Sequence, residues 1–278
     1  MKKNLKVLIV SPEVDPYAKS GQLADVAGSL SKALSSLGLE VSIIMPKYRR
    51  PEIEALTMEL VVPKLEVPLG KKKIRTDIYK SEVEKSTLFF IDHPKYFFRD
   101  NIYGTSKGDY LDNDERFVFF NRAVLEFLIK TKKKQDIIHC HNWPASLIPV
   151  YLKTIYSDSN LFKKTATILT LHNLAYQGEF PPESLGLTGL NWNFLTKYSY
   201  FNGKLNFLKA GLLYADFLTT GSEKHIREIL NGEFHFGLRD ILVERKDSFI
   251  GIINGIDYEV WDPKNDRHIE ANYNKDNL

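Results

Sequence analysis

Cysteine is almost missing from this 278-residue sequence. Cys140 stands alone, so no intrachain disulfide can form, and a reducing, cytoplasmic setting is expected. Long apolar runs are missing as well. None approaches the roughly 18 residues needed to span a bilayer, and the opening "MKKNLKVLIVSPEVDPY" is too short and too soon broken by proline for a signal peptide. No membrane partner is expected. Strong net charge is the third absence: 38 basic against 35 acidic residues leave a formal charge of +3. The basic clusters "KYRR", "GKKKIR" and "KTKKKQD" therefore read as solvated loops or helix ends, and no nucleic-acid partner is expected.

Two chemical motifs are absent too. Without G-x-S-x-G there is no nucleophile elbow around Ser11 or Ser20, and triad hydrolysis has little support. Without G-x-G-x-x-G, a dinucleotide-binding oxidoreductase rests on fold shape alone, since Gly21 and Gly28 are seven apart.

What is present is an ordinary globular composition, 43% hydrophobic and 26% charged. The length suits one large α/β domain, with or without an insertion; two equal domains would be a tight fit. Leu5 to Val10 is an almost unbroken apolar run, the pattern of a strand covered on both faces. Apolar residues then recur at Leu23, Val26, Ala27, Leu30, Ala33, Leu34 and Leu37, one face of a helix ended by Gly38. "EVSIIMP" follows as a second strand, completing a βαβ unit whose helix N-terminus points at the C-terminal edge of the sheet. From Thr57 to Asp92, short strands broken by Pro63, Pro68 and Gly70 suggest an inserted antiparallel ribbon. Helical spacing returns over Arg116 to Ile129. Next come a strand "DIIHC", a helix from Ala145 to Tyr156, a strand "ATILTLH", a loop-rich stretch from Asn173 to Trp192, a strand "DFLTT", a helix "SEKHIREIL" and a strand "SFIGIIN". The expected fold class is α/β, a Rossmann-like doubly wound parallel sheet with ligands at the C-terminal ends of its strands.

Polar residues gather at those strand ends: Glu13, then His139 and His141, then His172 and Asn173, then Asn254. His139 and His141 share one face of their strand and Cys140 takes the other. A zinc reading of the three histidines wants a further ligand and supporting carboxylates, which the sequence does not identify. His139 as a hydrogen-bonded core residue is the plain alternative, and Cys140 reads as an inert buried hydrophobe. Lys19, just before the helix N-terminus, suits a phosphate or diphosphate. It can equally be a solvated loop lysine.

These residues resemble the bacterial glycogen synthases and plant starch synthases. "AKSGQLADVAGSL" is similar to that family's K-x-G-G-L-A-D-V signature, and "YLDNDERFVFFNRAVLE" to its Y-x-D-N-x-x-R-F stretch. "DIIHCHNWPASLIPVYL" resembles H-x-H-D-W, and "TLHNLAYQGEF" resembles T-x-H-N-x-x-Y-Q-G. "NFLKAGLLYADFLTTGSE" and "GIINGIDYEVWDP" continue the series in order, and the resemblance covers residues 5 to 278.

The resemblance implies the N-terminal, acceptor-side half of a GT-B glycosyltransferase: one domain over 1–278, with the β-ribbon insertion at about 57–92. The implied reaction is retaining transfer of glucose from ADP-glucose, or UDP-glucose, to the non-reducing end of an α-1,4-glucan such as glycogen or starch. No metal and no cofactor are implied. Lys19 and the backbone of Gly21 would face the donor phosphates, and His172 the transferring glucose, with Asn254 close by. Glu13, Tyr103, Asn142 and Trp143 match positions along the donor sugar and acceptor end. Asn173, Tyr176 and Gln177 complete the motif around His172. Lys19, Asn142 and His172 are thus the implied catalytic group.

The sequence departs from the family at Gln22, where a second glycine is usual, at Asn142, where aspartate is usual, and over "TTGSEKHI". The family's second, nucleotide-binding domain also has no counterpart within these residues, so transfer is expected to need that domain in cis or in trans. The alternative, to which Gln22 and Asn142 point, is a non-catalytic glucan-binding or regulatory module.

Overall fold

The computed structural model describes residues 5–83, 86–192, 200–258 and 260–277. Its centre is one nine-stranded sheet. In chain order the strands are β1 (Lys6–Val10), β2 (Glu40–Pro46), β3 (Glu59–Leu69), β4 (Lys72–Val83), β5 (Ser86–Asp92), β6 (Ile137–His141), β7 (Ala166–Leu171), β8 (Phe217–Thr220) and β9 (Phe249–Gly251). Across the sheet they lie in the order β9-β8-β7-β6-β1-β2-β5-β4-β3. All neighbours from β9 to β5 run parallel. β4 is antiparallel to both β5 and β3.

The parallel strands form where the sequence is apolar without alternation. Leu8, Ile9 and Val10 are at most 1% exposed, as burial on both faces requires. The antiparallel ribbon expected over 57–92 forms as β3, β4 and β5, each antiparallel to the next, and the same rule makes it continuous with the main sheet: "STLFFID" buries Leu88, Phe89, Phe90 and Ile91 and pairs as β5 parallel to β2. At the sheet edge β3 carries register breaks around Pro63 and Lys64, where proline can donate no ladder bond.

Six helices of six or more residues accompany the sheet among the described residues: α1 (Gln22–Ser36), α2 (Asn113–Thr131), α3 (Leu147–Lys153), α4 (Phe207–Tyr214), α5 (Glu223–Leu230) and α6 (Arg239–Glu244). In α2 the consecutive residues Phe117, Val118, Phe119 and Phe120 are all fully buried, so this helix lies inside the molecule rather than on it. α1 buries Leu23, Ala24, Ala27, Gly28 and Ser31. Its remaining apolar residues Val26, Leu30, Ala33 and Leu34 instead line a groove of about 350 Å³ roofed by residues 252–256.

Three boundaries differ from the sequence reading. The helix expected from Ala145 to Tyr156 is a tight turn at Trp143–Ala145 followed by α3, because Pro144 and Pro149 lack amide donors. The strand expected over "SFIGIIN" stops at Gly251, leaving Ile252 and Ile253 exposed. The stretch from Asn173 to Trp192 holds a short strand, Glu179–Phe180, paired with Lys204–Asn206, and a helical turn at Leu185–Thr188.

Candidate active site

The sheet places its reactive edge where the winding reverses. β1 pairs on one side with β2, which follows it directly, and on the other with β6, which comes much later. Beyond the C-terminal ends of β1, β6 and β7 opens a cleft of about 450 Å³. Its walls are Glu13, Ser20, Gly21, Gln22 and Leu23 from the β1–α1 connection, Tyr103 and Asp109 from a loop, Asn142, Trp143 and Pro144 after β6, and His172, Asn173 and Tyr176 after β7. Nine of the twelve residues expected in the site therefore meet in one cavity.

Glu13 ties two of those walls together. It is 3% exposed, and its Oε2 accepts from the Ser20 amide at 2.5 Å while Oε1 accepts from the Tyr103 hydroxyl at 2.7 Å. Burial, and then the Glu13 charge, push the Tyr103 phenol well above its ordinary range, so it stays a donor. The connection is pinned again where Val14 and Ala18 exchange backbone bonds of 3.0 and 2.9 Å.

α1 begins at the cleft with Gly21 as its cap residue, extended at φ −167° and with no side-chain bond capping the helix. Gln22 and Leu23 open this 15-residue helix at the cavity wall, the arrangement that attracts anions, while the Ala24 amide is taken by the Gly21 carbonyl. Gln22 is exposed there. Lys19 does not line the cleft. Its ammonium pairs with Asp25 in the first turn of α1 and lies 3.6 Å from Asp15; the hydrogen bond to Asp25 raises its pKa against a small opposing effect of burial.

After β6 and β7 the three histidines form a stack. The rings of His139 and His141 lie 4.3 Å apart at 26°, and those of His141 and His172 5.2 Å apart at 14°. His141 Nδ1 and His172 Nε2 share a hydrogen bond of 2.9 Å, and His139 Nε2 meets Thr170 Oγ1 at 2.6 Å. Burial pushes His139 and His172 down to about 4 and His141 well below its ordinary value, so all three are neutral at pH 7. Among the described residues no group of three or more His, Cys, Asp or Glu is arranged to hold a metal ion. Cys140 points away into the core, fully buried, and burial raises its thiol pKa far out of the reactive range. Asn142 holds the next turn. It sits at φ 53° and ψ −172°, a sparsely populated conformation outside the left-handed helical region, and its Oδ1 accepts from the His172 amide at 2.8 Å. Aspartate could supply the same acceptor, so this departure keeps the backbone contact.

An aromatic wall closes the far side. The Trp143 ring lies 4.7 Å from Phe117, 5.5 Å from Phe180 and 6.2 Å from Tyr103, while Tyr176 is 66% exposed and free to meet a ligand face. Gly178 packs against that tryptophan. It has φ +64°, and a Cβ there would come within 2.7 Å of Trp143 Cδ2. Gly178→Ala should therefore cost about 2–3 kcal/mol, from backbone strain and overpacking together. Urea unfolding checks this, and an unchanged midpoint would contradict it.

Gln177 and Asn254 lie outside the cleft. Gln177 is 7% exposed and turns inward, donating to the carbonyls of Leu174 and Phe236 and accepting from Asn206, whose own side chain caps α4. It anchors the loop after β7. Asn254 lines the groove beside α1. The stretch "YLDNDERF" also has a supporting role that sequence reasoning missed: Asn113 Nδ2 donates to the Tyr103 carbonyl at 2.8 Å, and Arg116 Nη1 donates to Asn113 Oδ1 at 2.6 Å. Ser20, Leu23, Asp109 and Pro144 line the cavity without having been expected there. Ser20, Leu23 and Pro144 adjoin quoted motif residues, whereas Asp109 lies on a short hairpin, Gly104–Thr105 with Gly108–Asp109, and carries no local signal.

Comparison with known proteins places this geometry. Residues 6–244 match the family model described as starch synthase catalytic domain. A glycogen synthase of Thermodesulfovibrio yellowstonii is 41% identical over 99% of this chain and 58% of its own length. One from Moorella thermoacetica is 43% identical over 100% of this chain and 56% of its own. The solved catalytic domain of starch synthase IV from Arabidopsis thaliana, bound to ADP and acarbose, superposes with a TM-score of 0.89 at 31% identity, over 99% of this chain and 56% of that one. The chain thus spans a little over half the length of the relatives it matches. With the family model covering most of its residues and these relatives nearly all of them, the chain belongs to the starch and glycogen synthase catalytic domain family of glycosyltransferases.

Proposed function

We propose that this chain forms the acceptor-side half of a retaining glucosyltransferase that moves glucose from ADP-glucose, or UDP-glucose, to the non-reducing 4-hydroxyl of an α-1,4-glucan. The observation that carries the reading is the cleft itself. An uncapped helix N-terminus, a buried carboxylate held by a phenol, and an aromatic wall converge there at the switch point of the sheet.

The chemistry follows from what departs and what remains. A nucleoside diphosphate leaves with growing negative charge, which the amides at the start of α1 stabilise from a fixed position. The glucosyl centre becomes oxocarbenium-like, and oxygen atoms near it offset that charge. Trp143, Tyr103 and Tyr176 offer apolar faces to sugar rings. Lys19 reaches a donor phosphate only by exchanging Asp25 and Asp15 for it. Its contribution is correspondingly modest: Lys19→Ala in a complete enzyme should lower transfer about tenfold. Because the side chain is half exposed, melting should barely move. Parallel loss of activity and stability would contradict this assignment.

The whole reading is tested by combining the chain with the second domain of a synthase and following labelled glucose from ADP-glucose, or UDP-glucose, into glycogen. Transfer is expected only from the combination. Retained glycogen binding without transfer would instead favour the second reading, a glucan-binding module, to which the Gln22 side chain beside the helix N-terminus points. Gln22→Gly in the same assay then separates a lesion at that position from an adaptation.

A further inference from the structure

The histidine stack leaves one polar atom unexplained. His141 is fully buried, and its Nε2 has no hydrogen-bond partner, while its Nδ1 is engaged with His172. His172 differs: it lines the cleft, its Nε2 is engaged with His141, and its Nδ1 is not among the sealed, unpartnered atoms. The pair therefore runs from a buried, unpartnered nitrogen on His141, whose ring also borders the groove beside α1, through one shared hydrogen bond, to His172, whose ring lines the cleft.

Two neutral rings can share that bond in two ways. If His172 donates, then His141 must carry its proton on Nε2, which buries an N–H with no acceptor. If His141 donates from Nδ1, its sealed Nε2 is a bare acceptor, and His172 must carry its proton on Nδ1, facing the cleft. Orphaned buried N–H donors are the rarer defect in folded proteins. A free histidine side chain prefers the opposite tautomer, with the proton on Nε2, so the arrangement is one the fold has to impose.

We propose that His141 is a positioning residue that locks His172 in its Nδ1–H tautomer, so that the ring presents a hydrogen-bond donor to an oxygen of whatever occupies the cleft. The inference deepens the sugar-binding reading of His172 and rests on it only for the identity of that oxygen. Stacking of His139 on His141 holds the middle ring in plane, and the bond from the His172 amide to Asn142 fixes the last one. His139, His141 and Asn142 come from the end of β6 and His172 from the end of β7, so the relay forms only when the sheet sets these two strands side by side.

The test reads protons on nitrogen and needs no activity. The 278-residue chain is labelled with 15N-histidine, and long-range proton–nitrogen correlation spectra report which imidazole nitrogen of each ring is protonated; His172→Gln identifies the His172 signals. The wild-type chain should show His172 protonated on Nδ1. His141→Asn, whose amide can donate from near the same place, should keep that pattern. His141→Phe, which keeps a flat ring but removes the donor, should shift His172 to the Nε2–H form. An Nε2–H signal or an even mixture in the wild-type chain overturns the proposal even if neither variant folds. So does an unchanged Nδ1–H signal in folded His141→Phe. Failure of glucan binding with the expected tautomers would count against the sugar reading and leave the relay standing.

Discussion

Acidification from pH 6.5 to 4.5 should strip this protein of most of its stability. The cause is the set of buried neutral histidines: His139 and His172 are held down to about 4, His141 lies well below its ordinary value, and burial lowers His93 as well. Above pH 6.5 these groups are neutral in both folded and unfolded chains, and they cost nothing. Below it the unfolded chain takes up protons that the folded chain refuses, so stability falls as pH falls, by up to about 1.4 kcal/mol per unit for each of His139 and His172, with His141 and His93 acting in the same direction. Allowing for relaxation and partial solvent access, the sum by pH 4.5 is on the order of 5 kcal/mol, comparable with the whole stability of many domains. The carboxylates held low by cationic partners, such as Asp112 beside Arg99 and Asp216 beside Lys153, lose their contribution mostly below this window. Urea midpoints measured at half-unit steps check the slope. A dependence of less than one proton across the window would show that the stack is not the acid-labile element, and His139→Gln should make the wild-type curve shallower.

Arg116→Ala should be the most damaging single change, costing about 3–5 kcal/mol. The guanidinium is fully buried and its partners are neutral: Nε donates to the Tyr96 carbonyl at 2.8 Å and Nη1 to Asn113 at 2.6 Å. The rings of Tyr110, Phe117 and Phe97 lie 5.0, 5.3 and 5.7 Å from its carbon and, together with the nearby Asp112 charge, favour the cation. Removal leaves a large cavity and two acceptors without donors. Arg116→Met fills most of the volume and should recover about half of the loss, because it removes the buried charge and the cavity together. Asn113 would no longer be held under the Tyr103 carbonyl, so on the proposed reading glucan affinity should fall in both variants even at temperatures where they remain folded. Calorimetry and maltooligosaccharide titration on the same samples separate the two effects. A Met variant as unstable as the Ala variant would mean that the lost hydrogen bonds, and not the cavity, dominate.

Much of this structure was readable before any coordinates. The parallel strands announced themselves because burial on both faces leaves no polar residues to interrupt them, and period-two geometry put His139 and His141 on one side. The pairing of β5 with β2 was not readable, since it depends on a neighbour some forty residues earlier and not on local pattern. At the site, motif resemblance marked residues by neighbourhood, while the fold sorts neighbours by direction. Tyr176 is exposed at the cleft and Gln177, the next residue, is turned into the interior. Lys19 failed to reach the cavity for a similar reason: its partner Asp25 lies one helical turn into α1, on the same side of the connection. Arg116 and Asn113 support Tyr103 from behind, a relation set by packing between a loop and α2 that no spacing encodes.

The two ends of the nine-stranded sheet carry a practical consequence for handling the isolated chain. At one end β3 is bent by register breaks around Pro63 and Lys64, which spoils it as a template for another strand. At the other end β9 has only three residues, but it runs straight into the exposed Ile252 and Ile253, and Ile250 is 47% exposed. Self-association would therefore be polar, beginning at the β9 end and seldom at β3. Charged replacements at Ile252 or Ile253 are accordingly the ones to choose for keeping concentrated protein in solution.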